Sequence, residues 1–134
     1  MQHDEFIGLV QSRAQLPSRG DAERATRATL ETLGERIPGG LATNLAAQLP
    51  EEIGEHLRRT LPYGLEDTPG ERFDAAEFVA RVADRATADE PQAAYFARVV
   101  CEVVDEATQG GMLGKVAESL PEDVRQLVTA GSKD

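Results

Sequence analysis

The 134-residue chain has no tryptophan, one cysteine, two histidines, two lysines and only six aromatic residues. Each shortage excludes something. A lone Cys101 can close no intramolecular disulfide and cannot build a cysteine-based structural zinc site. His3 and His56 are poorly placed for haem, whose proximal histidine should sit well inside a long helix facing a large apolar pocket. No haem or other cofactor is expected. No run approaches the roughly 18 apolar residues of a membrane span, and the start, MQHDEF, is acidic where a signal peptide would be basic. These absences lead to the expectation of a soluble, cytoplasmic protein with no membrane partner. No stretch alternates with a period of two for long, so no sheet is expected either.

Acids are abundant by contrast. Twenty-four carboxylates against fourteen bases give a net charge of −10, with 11 acids and 7 bases up to Asp67 and 13 and 7 after it. A negative field spread over the whole chain argues against nucleic acid, which needs a clustered basic face to displace counterions. Arg58 and Arg59 beside Arg72 are the only basic concentration, and they read as a solvated helix end. Hydrophobic residues at 40% and charged ones at 28% are a globular balance. The length suits one domain, 1–134, able to bury roughly two-thirds of the unfolded chain's surface.

The chain also repeats itself. Residues 5–14, EFIGLVQSRA, lie over 77–86, EFVARVADRA, at an offset of 72, with five of ten pairs identical. Gly39-Gly40-Leu41 matches Gly110-Gly111-Met112, and Leu49-Pro50-Glu51-Glu52-Ile53 matches Leu120-Pro121-Glu122-Asp123-Val124, both at an offset of 71. Between these anchors Arg27, Glu31 and Glu35 fall on Arg98, Glu102 and Glu106. One single-residue gap reconciles the offsets. The expected organisation is a first copy over 3–61, a connector over 62–72, a second copy over 73–129 and a disordered tail over 130–134.

Each copy reads as four helices. Phe6, Leu9, Val10 and Ala14 recur at helical spacing, as do Phe78, Val82 and Ala86. Asp74 and Glu77 form a capping-box pattern, and Phe73 and Phe78 occupy the positions of a hydrophobic staple. Ser18 with Asp21 marks the second helix more weakly. Its inner stripe is Thr26, Leu30, Leu33 and Ile37, and Arg24, Arg27, Glu31, Thr32, Glu35 and Arg36 give it a wet face. Pro38-Gly39-Gly40 stops it, with glycine taking the left-handed conformation. Leu41, Leu45 and Leu49 share a face of the third helix, and Pro50 opens the fourth at its first helical position. The counterparts fall at 89–108, 111–119 and 121–129. The sixth helix, around Ala93–Val104, is apolar nearly all round, which predicts either a central place in a monomeric bundle, the favoured reading, with Tyr95 reaching the rim through its hydroxyl, or a face closed against a second chain in a symmetric dimer. The fold class is therefore all-α, a compact bundle of about eight helices in two four-helix repeats, about 1–61 and 73–129.

EFIGLV, a charged second helix, GG-x-L and LPEEI, returning as EFVARV and LPEDV, together resemble the bacterial domain-of-unknown-function family 2267. The resemblance spans residues 3 to 129 and implies an all-α domain of two related halves with a globin-like arrangement. It brings no catalytic residues. Leu49, Pro50, Leu120 and Pro121 look like structural signatures of that family, a role that a tight helix-to-helix turn also gives them. Gly39, Gly40, Gly110, Gly111, Phe6 and Phe78 join them as structural positions.

Candidate chemistry is thin. Neither glycine pair is a phosphate loop, since no strand precedes it and no lysine follows at the right spacing. Cys101 sits within Val99–Val104 and aligns with Leu30, so it is a core position rather than a nucleophile. Glu52 and His56, four apart on one helix, could share a metal ion, with His3 a conceivable third ligand. His56 aligns with apolar Leu127, which predicts a half-buried ring bonded to a carboxylate or carbonyl. No catalytic, cofactor or metal site is assigned. The expected function is a non-catalytic helical interaction module for a protein partner or a second copy. The alternative is a ligand-binding or enzymatic domain using an acidic cleft between the repeats, with Glu52, Glu55 and His56.

Overall fold

A computed structural model describes residues 1–61 and 68–132. Among them lie eight helices and no strand: α1 (His3–Arg13), α2 (Arg19–Arg36), α3 (Gly39–Gln48), α4 (Glu51–Arg58), α5 (Ala75–Ala86), α6 (Glu90–Ala107), α7 (Met112–Glu118) and α8 (Glu122–Thr129). Side-chain oxygens start three of them. Ser18 accepts from the Asp21 amide at 3.1 Å, Asp74 from Glu77 at 2.9 Å and Asp89 from Gln92 at 2.8 Å. At α5 the Glu77 carboxylate turns to Arg81 at 2.9 Å, so the cap acts from Asp74. The staple forms, with the Phe73 and Phe78 rings 6.2 Å apart. Pro50 and Pro121 stand at the N-caps of α4 and α8, one residue before the first helical position expected of Pro50.

The two glycine pairs behave differently. Gly110 and Gly111 adopt left-handed φ values of 72° and 68° before α7. Gly39 and Gly40 instead begin α3, and the Gly39 amide donates to the Thr68 carbonyl at 2.7 Å. The left-handed stop expected of them is corrected: α2 ends because Pro38 holds the chain extended as the cap of α3. Of the connector, 62–67 lies outside the described residues. Its remainder is strapped along the end of α2, where Glu71 N–H bonds the Glu35 carbonyl at 2.8 Å.

One core runs through the bundle. α6 touches α1, α2, α5, α7 and α8, and Val99, Val100, Cys101, Val103 and Val104 are fully buried. Burial pushes the Cys101 thiol up to about 12. Tyr95 reaches the rim, its hydroxyl donating to the Arg13 carbonyl at 3.0 Å. α2 lies against α1, α4, α5 and α6, which buries more of it than its sequence suggests. Thr32, expected on a wet face, is fully buried and Arg36 is 9% exposed. α5 covers that face and neutralises it. Arg85 grips Glu35 at 2.6 Å and reaches Glu31 at 3.8 Å, while Arg81 bonds Glu35 at 3.1 Å. Arg13 of α1 makes the matching bridge to Glu102 and Glu106 of α6, both at 2.8 Å. The sequence alignment pairs Arg13 with Arg85, Glu31 with Glu102 and Glu35 with Glu106. Each clasp therefore joins the first helix of one half to the second helix of the other.

Two glycines allow close helix approach around α4. A Cβ at Gly34 would stand 2.9 Å from the Leu57 carbonyl oxygen, and one at Gly54 would stand 2.6 Å from that of Ala46. Residues 130–132, expected to belong to a disordered tail, fold back onto α6. Arg98 donates to the Gly131 carbonyl at 2.8 Å, and Glu102 accepts from the Ser132 amide at 3.0 Å and its hydroxyl at 2.7 Å. Lys133 and Asp134 lie outside the described residues.

Candidate functional site

A cleft of about 600 Å³ lies between the start of α1, the first half of α2 and α4. Helical spacing builds it. Glu23, Arg24 and Arg27 project from neighbouring turns of α2, while Glu52, Glu55, His56 and Arg59 recur along one face of α4 and just beyond its end. His3 closes one side, with its Nε2 4.0 Å from Glu23. Buried Ile7 forms part of the floor.

Sequence reasoning named Glu52, Glu55, His56 and His3, and the fold brings all four to this cleft. Two features differ from expectation. The cleft lies within the first half of the chain rather than between the halves, and three arginines make it mixed in charge rather than acidic. Among the described residues no group of three or more His, Cys, Asp or Glu side chains is arranged to hold a metal ion. The Glu52–His56 pair therefore gains no third ligand there.

His56 is half-buried as expected, but its expected hydrogen bond is corrected. Its Nδ1 is buried without a partner. Burial, then the positive charges of Arg59 and Arg27, hold the ring below the usual histidine value against the opposing pull of Glu31 and Glu55. The ring is neutral at pH 7.

Arg24 and Arg27 were missed as site residues, because charged positions on a long helix read as solvated surface. Nine of the twelve arginines hold a carboxylate or a backbone carbonyl. Among the described residues Arg24 and Arg27 hold neither, although they stand one turn apart in a strongly acidic chain. Both side chains line the cleft, and each guanidinium carries five N–H donors. The one available signal was the alignment of Arg27 with Arg98, whose guanidinium is satisfied.

A second cavity, about 420 Å³, lies between α6, α7 and the folded-back tail, with Leu113, Val128, Glu102 and Asp105 in its wall. No helix among the described residues is long and apolar enough to cross a membrane. The family described as an uncharacterized conserved protein, DUF2267, matches residues 3–127. No curated protein matches the sequence.

Proposed function

The chain belongs to the DUF2267 family, and from that premise we propose that it is a non-catalytic helical interaction module, engaging a charged protein partner through the α1/α2/α4 cleft. One observation carries the reading. Arg24 and Arg27 stand unpaired in a cleft that also offers Glu23, Glu52 and Glu55, while most other arginines are neutralised within the fold. Donors and acceptors held apart in this way suit a polar surface of complementary charge. Met1, at 41% exposure, is the one large hydrophobic residue well exposed among those described, so the recognition surface is polar. The volume lies within the range of small-molecule sites, but those are mostly apolar inside, and this lining is charged.

The reciprocal clasps of Arg13 and Arg85 support a reading of the chain as two related units that exchange their first helices. The net charge of −10 supports a protein partner over nucleic acid, and the lone buried thiol suits a cytoplasmic setting. Affinity purification from the native host tests the reading. A stoichiometric partner should accompany the wild type and be lost from Arg24→Glu/Arg27→Glu. Equal recovery with both proteins removes the cleft from the interaction. A metabolite that raises the melting temperature by several degrees, with no partner recovered, moves the assignment to a small-ligand site.

A further inference from the structure

The second half of the molecule contains an internal guide to what the cleft binds. Along α6, Tyr95, Arg98 and Glu102 form a track on one face, and the tail runs over it. Arg98 holds the Gly131 carbonyl at 2.8 Å, Glu102 takes the Ser132 amide at 3.0 Å, and the Tyr95 hydroxyl lies 3.4 Å from the Ser132 carbonyl. In the sequence alignment these three positions fall on Arg24, Arg27 and Glu31 of α2. Glu31 is occupied by Arg59 at 3.0 Å, from the residue just after α4. Beyond that point nothing among the described residues covers the track, and Arg24 and Arg27 stand exposed.

Resting on the cleft as the interaction surface, we infer that Arg24 and Arg27 form a subsite for a peptide segment of the partner, which lies along α2 and carries a carboxylate. The tail on α6 shows the backbone half of the chemistry, an arginine fork on a peptide carbonyl. Where α6 has neutral Tyr95, α2 has a second guanidinium, so the first half adds a full positive charge that a carbonyl alone leaves unmatched. A carboxylate fits two adjacent forks with charge-assisted, bidentate geometry. Phosphate shares that geometry, but Glu23, Glu52 and Glu55 line the same cleft and repel a dianion more than a single carboxylate. The segment is therefore an acidic peptide rather than a phosphorylated ligand.

The test uses the full chain at fixed ionic strength, followed by NMR shifts of the cleft residues and of the arginine side-chain N–H groups. Three probes are titrated: acetyl-Gly-Ser-Asp-amide, acetyl-Gly-Ser-Asn-amide and inorganic phosphate. The aspartyl peptide should bind saturably, at least tenfold more tightly than the asparaginyl one. Binding should weaken at least tenfold in Arg24→Gln/Arg27→Gln and be unchanged in Arg72→Gln, an exposed arginine outside the cleft. A circular-dichroism melt confirms that each variant is folded. Equal affinity for both peptides overturns the carboxylate assignment, and tighter binding of phosphate overturns the peptide assignment. Peptide shifts at Glu52 and His56 that survive the double substitution leave the cleft standing and remove the arginine subsite. No saturable shift at any cleft residue, with any probe, removes both.

Discussion

α2 and α6 are each 18 residues long and both pack at the centre, yet they are enclosed by different means. α6 is wrapped because it is apolar on most sides, so burial against five neighbours is driven by the hydrophobic effect. α2 carries Glu31, Thr32, Glu35 and Arg36 on the faces that α5 and the connector cover, and buries Thr26 and Thr29 as well. It is enclosed because α5 brings Arg81 and Arg85 to those carboxylates and because the Thr32 hydroxyl donates to the Ala28 carbonyl at 2.8 Å. The enclosure is incomplete in polar terms. The Thr26 and Thr29 hydroxyls are buried without a partner. A charged helix can therefore occupy the middle of a bundle when its neighbour carries the opposite charges at matching heights.

The largest effect that sharpens this comparison comes from separating the halves. α1 clasps α6 and α5 clasps α2 across the middle of the chain, so fragments 1–66 and 67–134 should each lack a cooperative melt and regain one when mixed. Circular dichroism of the fragments and their equimolar mixture checks this. A sharp melt of 1–66 alone would refute the shared core. Next come the apolar anchors. Leu49→Ala and Leu120→Ala, at 7% and 3% exposure, should each cost about 2–5 kcal/mol in chemical denaturation. Glu51→Gln and Glu122→Gln at the neighbouring helix starts should cost within about 1 kcal/mol.

The clasps come third. Arg85→Ala should cost about 1.5–3 kcal/mol, the range for hydrogen bonds to charged groups, and Arg13→Ala less, since Glu106 is the more exposed acceptor. A cost for Arg85→Ala below about 0.5 kcal/mol would mean that enclosure of α2 does not depend on its ion pairs. The pH dependence is smaller. Burial raises the Glu35 carboxyl, but the hydrogen bonds from Arg85 and Arg81 outweigh it and hold the group below its ordinary value. The unfolded chain then binds the proton first. This contribution is full above the ordinary carboxylate range and is lost as pH falls through the native value, so Glu35→Gln should flatten the acid limb. His56 follows the same sign. Its native value is depressed, so its contribution is present above about pH 6.5 and declines below it. Urea midpoints between pH 7 and 5 should slope less in His56→Gln.

Much of the fold was legible because its signals are local. Phe73, Asp74 and Phe78 mark the start of α5 within six residues, and the apolar surface of α6 over Ala93–Val104, interrupted only by Arg98 and Glu102, leaves no dry alternative to the centre. The enclosure of α2 was not legible. Whether Thr32 and Arg36 are wet depends on where α5 lands, which spacing within α2 does not encode. The same holds for the cleft. Glu52, Glu55 and His56 announce themselves as an unusual cluster on α4, whereas Arg24 and Arg27 resemble any solvated pair until most of the other arginines have found their partners. Gly39 and Gly40 misled for a third reason: a glycine pair after a helix is as compatible with opening the next helix as with closing the last.

The glycine seats beside α4 bear on how fast the proposed partner would be captured. On the proposed reading, with Gly34 close against Leu57 and Gly54 against Ala46, α4 is packed tightly on α2 and α3, so the wall carrying Glu52, Glu55 and His56 would be preset for a partner. A preset wall leaves no backbone rearrangement to wait for, so encounter is governed by diffusion and by the local field. Affinity differences among partners would then appear as residence times rather than as arrival rates. An alanine at Gly54 would wedge α4 away from α3, and on the proposed reading capture of a partner would then wait on closure.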